Sequence, residues 1–430
     1  MRKNYLLKSE NAELIYTAVC DLPIIDYHNH VSLSDISAGK RFSDIYELWI
    51  KSDPYKHRLM RICGVSEDFI TGGASPREKF LKFCEIFPFI AGNPVYDWAR
   101  MEMSTVFGIE DPISSVRADY IYDKISEMLS SPEFSGKGLL SRFNIEYQSP
   151  VANLFDDISD FDGIGVAPSL RADNLLRPTE ELKRRLFCDT GIRIVDKSSY
   201  VNAISRYLDK FDSAGCRFAD HALDSGFFED DIGGEEREIL RMLACEYAKR
   251  GWTLLLHLDA KRKTSTRLAE IAGPAGGYAA VGGNFPISRV CELLGDIEKD
   301  GRLPDVVLFP LNMSDQAPIS VMQGSFSEDN VSSKVQLGPA WWWCDHALGI
   351  ENTLDSISSF GALSQFIGMT TDSRSILSFV RHDYFRRILS TWIARRNEEG
   401  EWNLPIEIQI EIARKICYTN AKNKIQRFKK

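Results

Sequence analysis

Short apolar runs rich in β-branched residues recur along this chain, each followed by polar residues and then by a helical pattern. Strands joined through helices pair in parallel, so this rhythm predicts a parallel sheet covered by crossover helices. The runs are LPIIDYH (22–28), NIEYQS (144–149), GIGVAPSLR (163–171), CRFADHA (216–222), WTLLLHL (252–258), DVVLFPLN (305–312), VQLGPAWWW (335–343) and FIGMTTDS (366–373). About eight such units predict an α/β chain folded as a (β/α)8 TIM barrel. Amphipathic segments such as GEEREILRMLACEYAKRG (234–251) and SRVCELLGDIEKDG (288–301) supply crossover helices, each closing on a glycine suited to a C-cap. The stretch 31–140 is too long for a crossover and is helical in pattern. It predicts a helical insertion after strand 1, near the barrel mouth, within one barrel domain spanning 1–430.

Charge and composition exclude other classes. With a net charge of -9 and basic residues interleaved with acids, the chain has no basic stripe to neutralise a phosphate backbone, so nucleic acid is not an expected partner. The N-terminus lacks the apolar core of a signal peptide, and no run approaches the roughly 18 apolar residues of a membrane span. A cytoplasmic protein without membrane contact is expected. Nine cysteines stand singly with no C-x-x-C pair, which argues against a disulfide framework or a zinc ribbon.

In such a barrel, chemistry collects at the C-terminal ends of the strands. Strand 1 ends in His28-Asn29-His30, and residues two apart on a strand point to one face, so both imidazoles face the same way. A carboxylate from the eighth strand, Asp372, would complete an open site for a divalent transition metal. Other strand ends carry Arg171, Asp220, His221, His257 with Arg262 beyond it, Trp341 to Trp343, and Arg374. The residues alone leave blander roles open. Arg374 could bridge a neighbouring carboxylate, and His257 could be either a metal ligand or a hydrogen-bonded neighbour. Trp342 and Trp343 read as core and lining, and His382 with the arginine pair of RHDYFRR as helix and interface residues. His57, His221 and His346 read as structural.

DLPIIDYHNHVS resembles the first strand of the amidohydrolase superfamily, and the remainder resembles one branch of it, the uronate (glucuronate) isomerases. Residues 336–389, beginning QLGPAWWWCDHALG and containing GMTTDSRS and RHDYFRR, form the longest match. YKHRLMRICGV (55–65), ITGGASPREKFLKF (70–83), GNPVYDW (92–98), LHLDAKR (256–262), PLNMSDQAPISVMQGSF (310–326) and YTNAKNKI (418–425) extend it over nearly the whole chain. The resemblance implies an amidohydrolase-type barrel and hexuronate aldose-ketose isomerisation, D-glucuronate to D-fructuronate and D-galacturonate to D-tagaturonate, through a cis-enediol. It implies His28, His30 and Asp372 as the metal site, holding zinc or else manganese or cobalt. Arg171, Asp220, His257, Arg262 and Trp341 would bind substrate, with Tyr55, Asp372 and Arg374 as catalytic groups. Tyr55 would carry the C2 proton and Asp372 a hydroxyl proton during ring opening. A free tyrosine titrates near about 10, so a base role needs a nearby cation, for which the arginines or the metal are candidates. The expected partners are a small-molecule hexuronate and further copies of the chain.

The family's Thr-Thr-Asp-Asp-Pro run and its following histidine are missing from 148–163. Asp259, Asp97 and the sequence Arg171-Ala172-Asp173-Asn174 also depart from its pattern. These departures bear on substrate preference. A metal-dependent hydrolase acting on a sugar-acid derivative and a non-catalytic sugar-acid binder stay open as alternatives.

Overall fold

The computed structural model describes residues 4–36, 40–158, 165–228, 230–301 and 303–426. Its main sheet has seven parallel strands in the order β1 (Ile24–Asn29), β2 (Ile145–Asn153), β3 (Ser169–Arg171), β4 (Phe218–Leu223), β5 (Thr253–Leu258), β8 (Asp305–Pro310) and β9 (Val335–Leu337). Between β5 and β8, β6 (Ala260–Lys261) and β7 (Ala280–Val281) make a separate antiparallel ribbon. The sheet curls as a barrel wall, and β1, β5 and β8 are buried along their whole length. That two-sided burial is why TLLLHL and DVVLFP read as continuous apolar runs instead of alternating ones. The crossover helices form at Asp230–Lys249 and Ile287–Asp300. Gly251, just past the first, has φ 69, the left-handed conformation a C-cap needs, whereas Gly301 is extended.

The expected eighth strand differs from the expectation. Residues 366–373 form no regular strand, although they lie along β1: Asp372 N–H donates to His28 O at 3.1 Å and His30 N–H to Ser373 O at 2.8 Å. Two backbone conformations break the ladder. Gly368 has φ 87, and a Cβ there would stand 2.0 Å from Ile416 O; Asp372 has φ 46, a left-handed conformation unusual for a residue with a side chain. The run expected over 163–171 is a strand only at Ser169–Arg171, and residues 163 and 164 lie outside the described residues.

Side chains replace the missing ladder. Asp26, fully buried on β1, accepts from Thr371 N–H at 2.6 Å, Thr371 Oγ1 at 2.9 Å, Asn29 Nδ2 at 2.8 Å and His382 Nε2 at 3.2 Å. Thr370 Oγ1 lies 2.9 Å from Asp26 Oδ1 and accepts His28 N–H at 2.8 Å. Tyr27 donates to Gly368 O at 3.0 Å, and Gln336 Oε1 on β9 accepts Ile367 N–H at 2.9 Å. His382 belongs to the helix Val380–Glu398, whose Arg386 donates to the carbonyls of Cys20, Leu22 and Pro23 at the entry to β1. The RHDYFRR segment thus grips this chain's own N-terminal region.

Between β1 and β2 the described residues are helices and loops, among them Ile45–Trp49, Pro54–Ile62, Pro76–Ile86 and Pro94–Phe107. Asp53 caps the helix Pro54–Ile62, accepting Tyr55 N–H and Lys56 N–H, and Pro54 suits its first turn. Gly277 faces this helix start, and a Cβ there would lie 2.2 Å from Pro54 O. Arg58 donates to Ala279 O at 3.1 Å and Arg61 to Gly276 O. These contacts clasp the helix to the 273–279 loop.

Burial would push the Asp26 carboxyl up, but His382, Asn29 and Thr371 outweigh it and hold it below the usual carboxylate range. A depressed carboxyl contributes stability above its unfolded pKa and loses it as pH falls through the folded value. Asp26→Ala should therefore lower unfolding free energy at neutral pH by roughly 3–5 kcal/mol, with the difference from wild type shrinking in acid. Denaturant unfolding at neutral and acidic pH measures both.

Candidate functional site

All the residues expected at the site, His28, His30, Tyr55, Arg171, Asp220, His257, Arg262, Trp341, Asp372 and Arg374, line one cavity of about 290 Å³ at the C-terminal ends of the strands. Asp53, Pro54, Pro274, Ala275, Trp342, Ser373 and Ser375 line it too. Asp53 and Pro54 announce themselves in sequence only as a helix start, and the 274–275 loop carries no side-chain chemistry that would mark it.

At the cavity floor, Asp372 Oδ1 stands 3.3 Å from His28 Nε2 and 3.1 Å from His30 Nε2, while Trp341 Nε1–H donates to Asp372 Oδ2. The left-handed backbone of Asp372 is the local strain that aims this carboxylate. Beside it, Asp220 Oδ1 accepts from His257 Nδ1 at 2.6 Å. With the proton on Nδ1, His257 presents a lone pair from Nε2, which is buried and has no hydrogen-bond partner. Neither ring nitrogen of the fully buried His28 has an aligned hydrogen-bond partner. Buried polar atoms left unpaired are costly, and imidazole lone pairs beside carboxylates are the donor set of a divalent transition metal. Two overlapping groups, His28 with His30 and Asp372, and His28 with Asp220 and His257, each converge within 4.8 Å and fit such an ion.

The charges divide by depth. Burial opposes ionisation of Asp372, yet the neighbouring imidazoles of His28 and His30 hold its carboxyl well below the usual range. Asp220 is likewise held down, against burial, by His257 and His28. His30 is pushed down to about 4 by burial, which Asp372 only partly offsets, so it is neutral at pH 7 as a metal ligand must be. For His28 burial also favours the neutral form, but Asp220 and Asp372 prevail and raise it.

Toward the mouth stand three guanidinium groups. Arg171 pairs with Asp173 at 3.2 Å and approaches His30 Nδ1 at 3.3 Å. Arg262 lies 5.4 Å over the Trp342 ring, and Arg374 keeps solvent access. Crowding by protein lowers Arg374 below the ordinary arginine range, Asp372 opposes, and the like charges of Arg171 and Arg262 add to the lowering. Three like charges crowded at one mouth make a receptor for an anion.

Tyr55 is wedged edge-on against Trp98 at 5.4 Å and Trp343 at 5.2 Å. Burial drives its phenol well above the ordinary tyrosine range; Arg381 pulls the other way while Asp372 and Asp345 add to the rise. Among the protein's own cations the principal one counteracting burial is Arg381, which stands against the ring and outside the cavity lining.

Other singled-out residues lie elsewhere. His221 contacts Tyr247 Oη at 3.1 Å, and His346 caps the helix Ala347–Phe360 by accepting Gly349 N–H. His57 is buried in the helix Pro54–Ile62. Asp259 is buried at φ 60 against Gly282, where a Cβ would meet its carboxylate. The described residues contain no helix long and apolar enough to cross a membrane.

The family model for glucuronate isomerase matches residues 1–241 and 230–425. A uronate isomerase from Caldanaerobacter subterraneus is 34% identical, the alignment covering 98% of each chain. The fold is similar to that of a uronate isomerase from Thermotoga maritima, with TM-score 0.90, 27% identity and 99% coverage of each chain. It is also similar to that of a glucuronate isomerase from Caulobacter crescentus, with TM-score 0.90 and 22% identity over 100% of this chain and 98% of the other.

Tyr55 should remain a phenol in the resting protein. An ultraviolet difference titration of wild type against Tyr55→Phe is expected to show no tyrosinate band from Tyr55 at or below about 10, the free-tyrosine value; a band titrating there would overturn the assignment.

Proposed function

Because the chain belongs to the glucuronate isomerase family, we propose that this cavity is the active site of a hexuronate aldose-ketose isomerase, an intramolecular oxidoreductase. It interconverts D-glucuronate with D-fructuronate and D-galacturonate with D-tagaturonate. The observation that carries this reading is the convergence of Arg171, Arg262 and Arg374 on the cluster of His28, His30 and Asp372. Such a cationic rim suits a substrate that carries a carboxylate, as a sugar acid does.

The chemistry moves one hydrogen between adjacent carbons. The C2 proton leaves to a base, its bonding pair forms the C1=C2 enediol as O1 gains a proton, then O2 loses its proton and C1 takes one. The arginines bind the C6 carboxylate, for which guanidinium offers paired donors, and so fix the sugar's direction in the cavity. Asp372, ionised and open to the cavity, takes a hydroxyl proton as the ring opens, while Trp341 holds its second oxygen. Asp220 fixes the tautomer of His257 and keeps the Nε2 lone pair directed inward. Tyr55, which lines the cavity as a phenol at rest, gives its proton to O1 and as phenolate takes the C2 proton; it then gives that proton to C1 and recovers one from the O2 hydroxyl. A divalent metal held by His28, His30 and Asp372, with His257 as a further donor, zinc before manganese or cobalt, would polarise and orient sugar oxygens.

In this reading residues 1–430 work as one barrel domain and the helical stretch 31–140 delivers Tyr55 to the mouth. The protein acts in the cytoplasm on a small-molecule hexuronate, as a homo-oligomer.

Proton NMR in deuterated water, with a panel of uronates and added zinc, manganese or cobalt, tests the reaction. Wild type should interconvert an aldohexuronate and its ketose with solvent deuterium entering at C2, and Asp372→Asn should lose roughly 10²-fold or more in kcat. Arg374→Ala should lose about 30-fold or more in kcat/KM for the uronate, with a much smaller loss for the neutral aldohexose. Failure to isomerise either glucuronate or galacturonate would sink the proposal. Turnover of a lactone or amide instead would indicate a hydrolase, and thermal stabilisation by uronates without turnover a binding protein.

A further inference from the structure

Arg381 is almost wholly enclosed and lines no part of the cavity, yet it touches the machinery from behind. Its guanidinium carbon lies 4.9 Å from the Tyr55 ring centre and 3.7 Å from that of Trp98. Its Nη1 reaches Asp345 Oδ2 at 3.4 Å and Thr371 O at 3.3 Å, the carbonyl immediately before Asp372. Its Nε is buried without a hydrogen-bond partner. As a stabilising device this is poor. A buried guanidinium repays its desolvation only with short, well-satisfied hydrogen bonds, and an apolar residue of similar volume is often as stable. What this placement does provide is positive charge against the face of one tyrosine, in a region too dry to screen it.

We propose that Arg381 is a positioning residue for the isomerisation. Held by Asp345 and by the carbonyl of Thr371, it makes the phenolate of Tyr55 accessible during proton transfer and fixes the ring relative to Asp372. This inference rests on the isomerase reading and on the proton-carrying role of Tyr55 within it. The burial that raises the Tyr55 phenol is offset chiefly by Arg381, consistent with the geometry. Arg374 also feels the charge of Tyr55, but it lines the cavity and in the isomerase reading is engaged by the substrate carboxylate, whereas Arg381 lines no part of it. The other charged groups acting most strongly on Arg381 are acids: Asp345, Asp53, which is paired with Lys56, and Glu102, which accepts from Trp49 Nε1. They balance its charge within the protein, and Arg381 is the cation of this group that lies against the ring.

A double-mutant cycle on kcat, with C2 deuterium exchange as the rate, tests this. Arg381→Met, checked for an unchanged near-ultraviolet circular dichroism spectrum, should lose roughly tenfold or more in kcat with KM changed less than about twofold. Arg381→Lys should regain most of that loss. In the Tyr55→Phe background, Arg381→Met should cost nothing further, because the two residues act as one unit. Equal losses in both backgrounds, or a wild-type kcat for Arg381→Met, would overturn the proposal. Should Arg381→Met fail to fold, Arg381→Gln takes its place in the same cycle, with the same result expected and the same results overturning the proposal. A Tyr55→Phe variant that isomerises at the wild-type rate would remove the premise; a crippled one beside an unaffected Arg381→Met overturns Arg381 alone.

Discussion

The carboxylate of Asp372 is the point on which the site turns, because two imidazoles and an indole N–H share it. Its position is over-determined by groups that have no chemistry of their own to perform. Thr370 and Thr371 fasten the segment to Asp26, the backbone of His28 and His30 pins residues 372 and 373, and His382 closes the cluster from the helix behind. The left-handed backbone at Asp372 would relax without that clamp. A regular eighth strand would have supplied the pairing more simply, but it would have held residue 372 extended. The polar clamp trades ladder hydrogen bonds for side-chain ones and leaves the carboxylate turned into the cavity.

The depth ordering of charge follows from that arrangement. Carboxylates that engage imidazoles at the floor have little left to offer the arginines, so Arg262 and Arg374 face the mouth as cations while Arg171 is shared with Asp173. Had Asp372 paired with Arg374 instead, both the ion-ready cluster and the anion receptor would be lost. A hexuronate has the complementary polarity, oxygens to coordinate at its reacting end and a carboxylate at the other. In the proposed reading, the charge gradient of the cavity sets the direction in which such a substrate binds.

Much of this was legible because it depends on short-range periodicity. Alternation along a strand placed His28 and His30 on one side, and the strand-to-helix rhythm located the ends carrying Arg171, Asp220 and His257. The eighth strand was misjudged because FIGMTTDS has a strand-like composition, while the deciding facts, the close approach of Ile416 O to Gly368 and the demand of Asp26 for donors, come from residues far away in sequence. For the same reason nothing in the sequence sets Arg381 apart. In RHDYFRR it is one of several cations, and only packing separates it from Arg386, which grips the entry to β1, and from Arg387, which bonds Tyr16.

By itself, then, the chain's order of residues determined the barrel plan, the pair of histidines and the set of arginines, because side-chain parity and the alternation of strand with helix are properties of neighbours. Tertiary structure alone decided how Asp372 is held against the histidines, which tautomer His257 adopts and which cation faces Tyr55. Those outcomes rest on contacts between separate elements, in places hundreds of residues apart, as when Asp26 meets Thr371 or Tyr55 meets Arg381. Burial, which sets the strength of every charge in the cavity, exists only once those segments have packed.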